Sequence, residues 1–419
     1  MKKLNVLIRG WDLHHSYGLV NCFQIIHFVK YFQNEISITM EDAPFYRNHW
    51  QKQNGIFPEE YEKILQNIKK YNPKDNDENF DIIYNITFPY VVMFDDKFKN
   101  IPKCVFYTSE FSLLDKTYFE NTNEMSEEQV LNLIKNDTSL FFSTPSRWSY
   151  KGMEKYIQDI DNRLFTITHG VDTSIYRHDI SKRANLRAKY NIKDNDIVLL
   201  NIGSMTGNKG IHLILIALYN ITNLHSKNWK LLLKATGDLY ECRKYVLESI
   251  KSIKNIIETK EQLETFNKFI DEHVIFLSAT MSCMLLNDLY NACDLYISPY
   301  SAEGFNLTCL EALSSGLPVL VPQTGSTNDY IDKIIQNCNA KGMIYKCPSS
   351  IIRSDDGKCF NEIQVVDLIN TCLKFQNTKK DTDAIKSIYK YIESDLSWKF
   401  VCGKLLEMFY KIIYNDERK

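Results

Sequence analysis

The chain has 419 residues, of which 44% are hydrophobic and 24% charged, and its formal net charge is -2. That length accommodates two or three domains with cores of their own, and the composition is that of a globular protein. A nearly neutral balance gives no general attraction to nucleic acid, which is set aside as a partner, and leaves peripheral membrane contact only to local basic or aromatic patches.

The opening MKKLNVLIRGWDLHH has too short an apolar run for a secretory signal and reads as a first buried strand. No later stretch approaches a membrane span, and the longest apolar patch, IHLILIALYNI at 211–221, reads as a core helix. Eleven cysteines between Cys22 and Cys402 include no Cys-x-x-Cys pair, which predicts reduced thiols in a cytoplasmic protein and neither a disulfide framework nor a zinc site. The sequon Asn85-Ile-Thr87 carries correspondingly little weight.

Short apolar runs at 5–10, 36–40, 81–86, 103–109, 140–145 and 164–170 alternate with helical patterns, enough for one doubly wound sheet. The polar stretch 66–80 reads as a mobile loop, and 178–190, charged and without period, as a linker. A second set of strands follows at 197–204, 230–237, 274–278, 295–300, 318–323 and 342–347, and the chain after Asp381 reads as helical. The predicted fold class is α/β, two Rossmann-like doubly wound domains at 1–178 and 190–398 facing across a cleft, where a ligand would sit.

The stretch SPYSAEGFNLTCLEALSSGLPVLVPQ, from Ser298 to Gln323, reads as strand, turn, helix, strand, with Asn306 as N-cap and Gly316 and Pro318 ending the helix. Amides near Phe305, Asn306, Leu307 and Thr308 would hold a phosphate at the helix start, and Gly304 would let it approach the backbone. Glu303 and Glu311 cannot both touch that phosphate without repulsion. They suit hydroxyls on either side of it, one on a sugar and one on a ribose, which is the chemistry of a nucleotide sugar. Read from the spacing alone, the same pair is equally a solvated loop residue and an ordinary helix-surface carboxylate.

With its surroundings, this E-x7-E stretch resembles the retaining glycosyltransferases of family 4 (GT4), which have the two-domain GT-B fold; GSTNDYI stands where the family commonly has Gly-Gly-x-x-Glu. LFTITHGVDTSIYR (164–177) resembles the family's interdomain signature, with His169 in an asparagine position, and IVLLNIGSMTGNKGIHLILIAL resembles its first nucleotide-domain strand and phosphate loop. The resemblance covers about 165–335. It implies donor binding by Gly203, Ser204 and Lys209, with Lys209 neutralising the leaving diphosphate. It also implies that the tail, from about 400 to 419, crosses back to the first domain. Ser204 replaces a common arginine, so Lys234 at the next strand end is a candidate second cation. Glu110 stands where many relatives have a histidine near the sugar, and is assigned the role of stabilising positive charge there. In RGWDLHHSYGLVNCFQ, Gly10 and Gly18 bracket a loop at a strand's carboxyl end that suits a sugar or acceptor, with His14 and His15 as contacts. His169 reads as a satisfied interdomain histidine and Asp172 as a turn cap. FDD (94–96) and SDD (354–356) lie in polar segments and give no well-placed DxD, so no metal is expected, and the glycine loop has neither the G-x-x-x-x-G-K-[ST] spacing of a P-loop nor the G-x-G-x-x-G spacing of a dinucleotide site.

The function these features imply is a retaining, metal-independent transfer of a sugar from a UDP- or GDP-type donor to the hydroxyl of a glycan, lipid, protein or small molecule, with Glu303, Lys209 and Glu110 as catalytic residues. A phosphorylase or epimerase on the same fold and a non-catalytic nucleotide-sugar-binding relative are the alternatives.

Overall fold

The structure, a computed structural model, describes residues 2–13, 16–45, 47–74, 79–88, 98–114, 126–224, 228–378 and 381–415. The chain divides into two compact units, Met1–Asp172 with Asp395–Lys419, and Thr173–Ser394.

The first unit holds β1 (Leu4–Gly10), β2 (Ile36–Asp42), β3 (Lys69–Lys70), β4 (Ile82–Ile86), β5 (Lys103–Phe106), β6 (Leu140–Thr144) and β7 (Leu164–Thr166). They form one parallel sheet in the order β3-β2-β1-β4-β5-β6-β7. Leu4, Val6, Leu7 and Ile8 are fully buried, the near-continuous apolar pattern of a strand covered on both faces. One element departs from the sequence reading. The 66–80 segment contributes β3, whose two exposed lysines pair with β2 at the sheet edge, where charge discourages further pairing. Asp172 is buried, accepts a hydrogen bond from the Tyr61 hydroxyl at 2.7 Å, and lies 3.3 Å from His27 Nε2.

Helix Trp398–Asn415 belongs to this first unit and packs against helix Tyr17–Tyr31. Trp398 stacks on Phe23, Phe409 packs on Phe28 and Tyr84, and Cys402 Sγ donates to the Gln24 carbonyl. His169 is buried between Phe106 and Trp398, and burial lowers its pKa to about 3, so the ring is neutral.

The second unit holds β8 (Ile197–Gly203), β9 (Trp229–Ala235), β10 (Val274–Leu277), β11 (Leu295–Ile297), β12 (Val319–Pro322) and β13 (Ile344–Cys347) in a parallel sheet ordered β10-β9-β8-β11-β12-β13. An antiparallel hairpin of β14 (Ser350–Arg353) and β15 (Cys359–Glu362) stands beside it. The core packs helices Ile211–Leu224, Cys242–Lys254, Lys260–His273 and Val365–Gln376 on one face, around the buried Leu231, Leu233, Trp229 and Phe266.

The expected linker at 178–190 is instead a short turn, Ile180–Lys182, and a helix, Arg183–Lys189, inside the second unit. Two arginines hold it. Arg183 donates to the carbonyls of Asn291 and Cys293 and to Asp294, and the buried Arg187 donates to the carbonyls of Ala292, Lys193 and Asp196 and to Asp294. Charges that read as solvated along the sequence are here satisfied by the carbonyl end of helix Cys283–Ala292.

Candidate active site

In each parallel sheet the strand order reverses once, between β1 and β4 and between β8 and β11. Loops leaving neighbouring strands in opposite directions part there and open a crevice at the carboxyl ends, the usual ligand site of such sheets.

In the second unit the loops after β8 and β11 meet at their reversal. Beyond Gly203, Ser204 Oγ lies 2.9 Å from Thr206 Oγ1, which donates to Asn208 Oδ1. Asn208 then ties the loops together: its Nδ2 donates to the Ala302 carbonyl at 2.9 Å, and its own carbonyl accepts from the Ser301 N–H at 2.8 Å. The turn Gly207–Lys209 ends at Gly210 with φ +70°, where a Cβ would lie 2.2 Å from the Pro299 oxygen, so only glycine fits. A Cβ at Gly203 or Gly207 would meet nothing within 4 Å, so these two border open space.

Across that loop pair, Lys209 Nζ stands 2.6 Å from Glu303 Oε2, each side chain 17% exposed. Glu303 Oε1 accepts from the Gly304 N–H at 3.2 Å. The helix that follows, Leu307–Ser314, starts without a side-chain cap. Asn306 is in the N-cap position as expected, but in a left-handed conformation, φ 72°. Its Nδ2 donates to Ser298 Oγ and its Oδ1 accepts from Thr308 Oγ1, so the side chain braces the turn and leaves the helix start uncapped. Phe305 is buried against Tyr330 as the anchor of the turn, and Leu307 opens the helix half-buried.

Glu311, one turn into that helix, is 9% exposed and accepts from the Tyr290 hydroxyl at 2.7 Å. Burial pushes its pKa up to about 7, opposed by hydrogen bonds from Tyr290 and Tyr176. The two glutamates thus differ in kind: Glu303 is the ion-pair partner of a lysine, and Glu311 is a buried carboxyl on the edge of neutrality. Lys234 is also buried, near the carboxyl end of β9 beside β8.

In the first unit, Glu110 follows β5 and its carbonyl accepts from Trp148 Nε1, while Ser109, its neighbour, is consumed by Ser149 and Leu113. The glycines after β1 border protein, not open space. A Cβ at Gly10 would lie 2.7 Å from Asn21 Nδ2 and one at Gly18 2.3 Å from the Leu13 oxygen. The close approach these glycines permit is therefore that of the chain to itself. His14, His15 and the FDD segment lie outside the described residues. Asp355 and Asp356 of SDD sit in an exposed turn where Asp356 pairs with Lys358.

The sequence reading missed Asn208, the residue that joins the two loops, since a single asparagine between two glycines carries no periodic signal. It also missed Tyr290 and Tyr176, which lie 21 and 135 positions from the carboxyl they bond.

Residues 182–350, which contain every loop of this second-unit site, match the family model of the glycosyl transferases group 1. Over this stretch, less than half of the chain, the sequence is similar to that family. The chain is similar in sequence to an uncharacterized glycosyltransferase of Methanocaldococcus jannaschii, 25% identical over 173 residues, which are 41% of this chain and 39% of that protein. It is also similar to the lipopolysaccharide 1,2-N-acetylglucosaminetransferase of Salmonella typhimurium, 28% identical over 148 residues, 35% of each chain. The chain therefore spans well under half the length of these curated relatives. In structure, Anabaena HepE, solved in complex with UDP-glucose, matches 97% of this chain and 99% of its own at TM-score 0.64 and 16% identity. That likeness establishes the GT-B fold, two parallel-sheet α/β units. No helix among the described residues is long and apolar enough to cross a membrane.

Proposed function

We propose that the protein is a retaining, metal-independent glycosyltransferase of the cytoplasm that moves a sugar from a nucleotide-diphosphate sugar to an acceptor hydroxyl. The observation that carries this reading is the Lys209–Glu303 pair at the strand-order reversal of the second sheet, beside an uncapped helix start and the open space at Gly203 and Gly207. A cation, the amides of a helix start without a side-chain cap and a carboxylate on adjoining loops suit a diphosphate with a polyol attached. The UDP-glucose complex of HepE supports a UDP-type donor over a GDP-type one, and the lipopolysaccharide transferase supports a glycan acceptor.

In this reading the arriving diphosphate replaces Glu303 as the partner of Lys209, and the released carboxylate accepts a hydrogen bond from the sugar. Glu311 accepts from the ribose. The bond from the sugar's anomeric carbon to the phosphate oxygen breaks, the acceptor oxygen bonds that carbon from the same face, and the acceptor proton passes to the departing phosphate. Lys209 and the amides of the helix start stabilise the charge that develops on the diphosphate. The residues assigned to the acceptor, Glu110 among them, belong to the first unit, and peripheral membrane contact through that unit is compatible with a lipid-linked acceptor.

The test is nucleotide release from UDP-, GDP-, ADP- and CMP-sugars, with and without a chelator. Release from one donor, unchanged by the chelator and lost in Lys209→Met, is the expected result. Loss of release on chelation would overturn metal independence. Binding of a donor without release under any acceptor tried would favour the non-catalytic alternative.

A further inference from the structure

A strand at the edge of a sheet carries a row of unused N–H and carbonyl groups, which proteins guard with charge or proline, or cover. The edge of the second sheet at β13 is neither guarded like β3 nor covered by a strand. The Val319 N–H donates to the Met343 carbonyl and the Gln323 N–H to the Cys347 carbonyl, both at 2.8 Å. In a parallel ladder alternate residues turn to the same neighbour, so Ile344 and Lys346 turn their backbone groups outward, where no strand lies among the described residues. Beside them is a cavity of about 760 Å³, lined by Ile335 of helix Asn328–Asn337, by Ile344 and Lys346, and by Asn370, Thr371 and Lys374 of helix Val365–Gln376. Those helices cover opposite faces of the sheet: Lys346 bonds Asp332 of the first, whereas its neighbours Tyr345 and Cys347 pack with Leu368 and Cys372 of the second. The cavity therefore straddles the sheet edge, in the place of a further strand.

The strand that follows has the matching lack. Beyond β13 the chain stays beside the continuation of β12, since Ser349 Oγ accepts from the Thr324 N–H at 3.1 Å, and then enters β14. In the hairpin, β15 lies on the β12 side: the Asn361 N–H donates to the Ser301 carbonyl at 2.6 Å and Asn361 Oδ1 accepts from Thr324 Oγ1 at 2.7 Å. The free edge of β14 thus faces the same way as that of β13. The Ser354 N–H donates to the Lys358 carbonyl at 3.0 Å, which fixes the alternation: Ile352 turns to β15, and Ile351 and Arg353 turn outward. Ile351 and Ile352 are 52% and 44% exposed.

We propose that the occupant of the slot is β14 of a second copy, inserted reciprocally: β13 and β14 of one chain pair antiparallel with β14 and β13 of the other about a two-fold axis at Pro348 and Ser349. In this register Lys346 lies opposite Ile351 and Ile344 opposite Arg353, so the outward-turned residues of both strands meet and each pair exchanges its N–H and carbonyl bonds. Pro348, which has no N–H to offer, falls at the axis. Ile351 and Ile352 turn to opposite faces of the slot, and both leave water. Beyond the ladder the same register brings the exposed turn with Asp355 and Asp356 to Lys341 at the end of the cavity, opposite in charge. The pairing requires nothing of the donor reading.

Sedimentation of the full chain over a range of concentrations should show a monomer–dimer equilibrium. Ile351→Pro removes an outward N–H and leaves the bonds of Ile352 to β15, and should raise the dissociation constant about tenfold or more. Lys341→Glu and Asp356→Lys each set like charges in register and should each weaken the dimer. An equimolar mixture of these two variants should regain it, because in the mixed dimer both 341–356 pairs are of opposite sign. Recovery on mixing cannot come from chains damaged in their fold, and thermal unfolding checks the fold of Ile351→Pro. A parent chain that stays monomeric to about 100 µM, or a dimer indifferent to Ile351→Pro and to the charge variants, would overturn the proposal. Binding of an acidic extended peptide to a monomeric parent would overturn it as well, since the slot would then serve a different partner.

Discussion

The two strand-order reversals, at β1 and β4 in the first unit and at β8 and β11 in the second, share a topology and differ in what fills them. After β1 the room left by Gly10 and Gly18 is taken by Asn21, Ile86 and the Leu13 carbonyl, and Asn21 closes the loop by donating to the Trp11 carbonyl. After β8 the room left by Gly203 and Gly207 is empty, and a lysine and a carboxylate face each other at its border. A glycine following a strand shows that something comes close to the backbone; only the structure shows whether that is the protein or leaves space for a ligand.

The sharpest way to break this contrast is at the charged pair. Lys209→Met should lower nucleotide release by on the order of a hundredfold or more. Glu303→Gln should separate binding from turnover: free nucleotide diphosphate binds more tightly, because Lys209 has lost its internal competitor, while release from the sugar donor falls. Equal losses in both quantities would remove the exchange of partners from the mechanism.

Glycine substitutions sharpen the comparison next. Gly10→Ala forces a Cβ against Asn21 and Ile86 and should cost roughly 1–3 kcal/mol in chemical denaturation. Gly203→Ala meets nothing and should stay within about 0.5 kcal/mol of the parent, while weakening nucleotide binding. The reverse pattern would mean that the ligand space had been assigned to the wrong unit.

Glu311 supplies a pH-dependent test. Its folded pKa of about 7 lies above its ordinary 4.5, so the folded state holds a proton that the unfolded state has released. Its contribution to stability is fully present below about 4.5 and is lost as pH rises through 7, a change of at most on the order of 3 kcal/mol. Glu311→Gln should remove that slope and be more stable, relative to the parent, at pH 8 than at pH 5. The smallest effect is expected from Glu110→Ala, which should leave nucleotide affinity unchanged and lower only transfer to acceptor.

Much of the second unit was legible because its strands are largely apolar runs and its functional loops follow them directly. The strands read at 197–204 and 230–237 are observed as Ile197–Gly203 and Trp229–Ala235. The hairpin of β14 and β15 escaped notice because β14 is exposed along its whole length, so no burial pattern marks it. The 178–190 segment was misread because polarity was equated with solvation: Arg187 is as buried as the core and donates to the carbonyls of Asp196, nine positions on, and of Ala292, 105 positions on. Asn306 shows the same limit on a smaller scale. Residue type predicted its position at the helix start, but a cap is a hydrogen bond, and the neighbouring Ser298 and Thr308 hydroxyls took it.

The assignment of Asp395–Lys419 to the first unit has a consequence for synthesis. Residues 173–394 are contiguous and can fold as soon as they leave the ribosome, whereas the sheet that begins at Leu4 must wait for Trp398, Cys402 and Phe409 to cover helix Tyr17–Tyr31 and Tyr84. The part of the chain made first is thus completed last, and during that interval its apolar helix is the surface most in need of a chaperone.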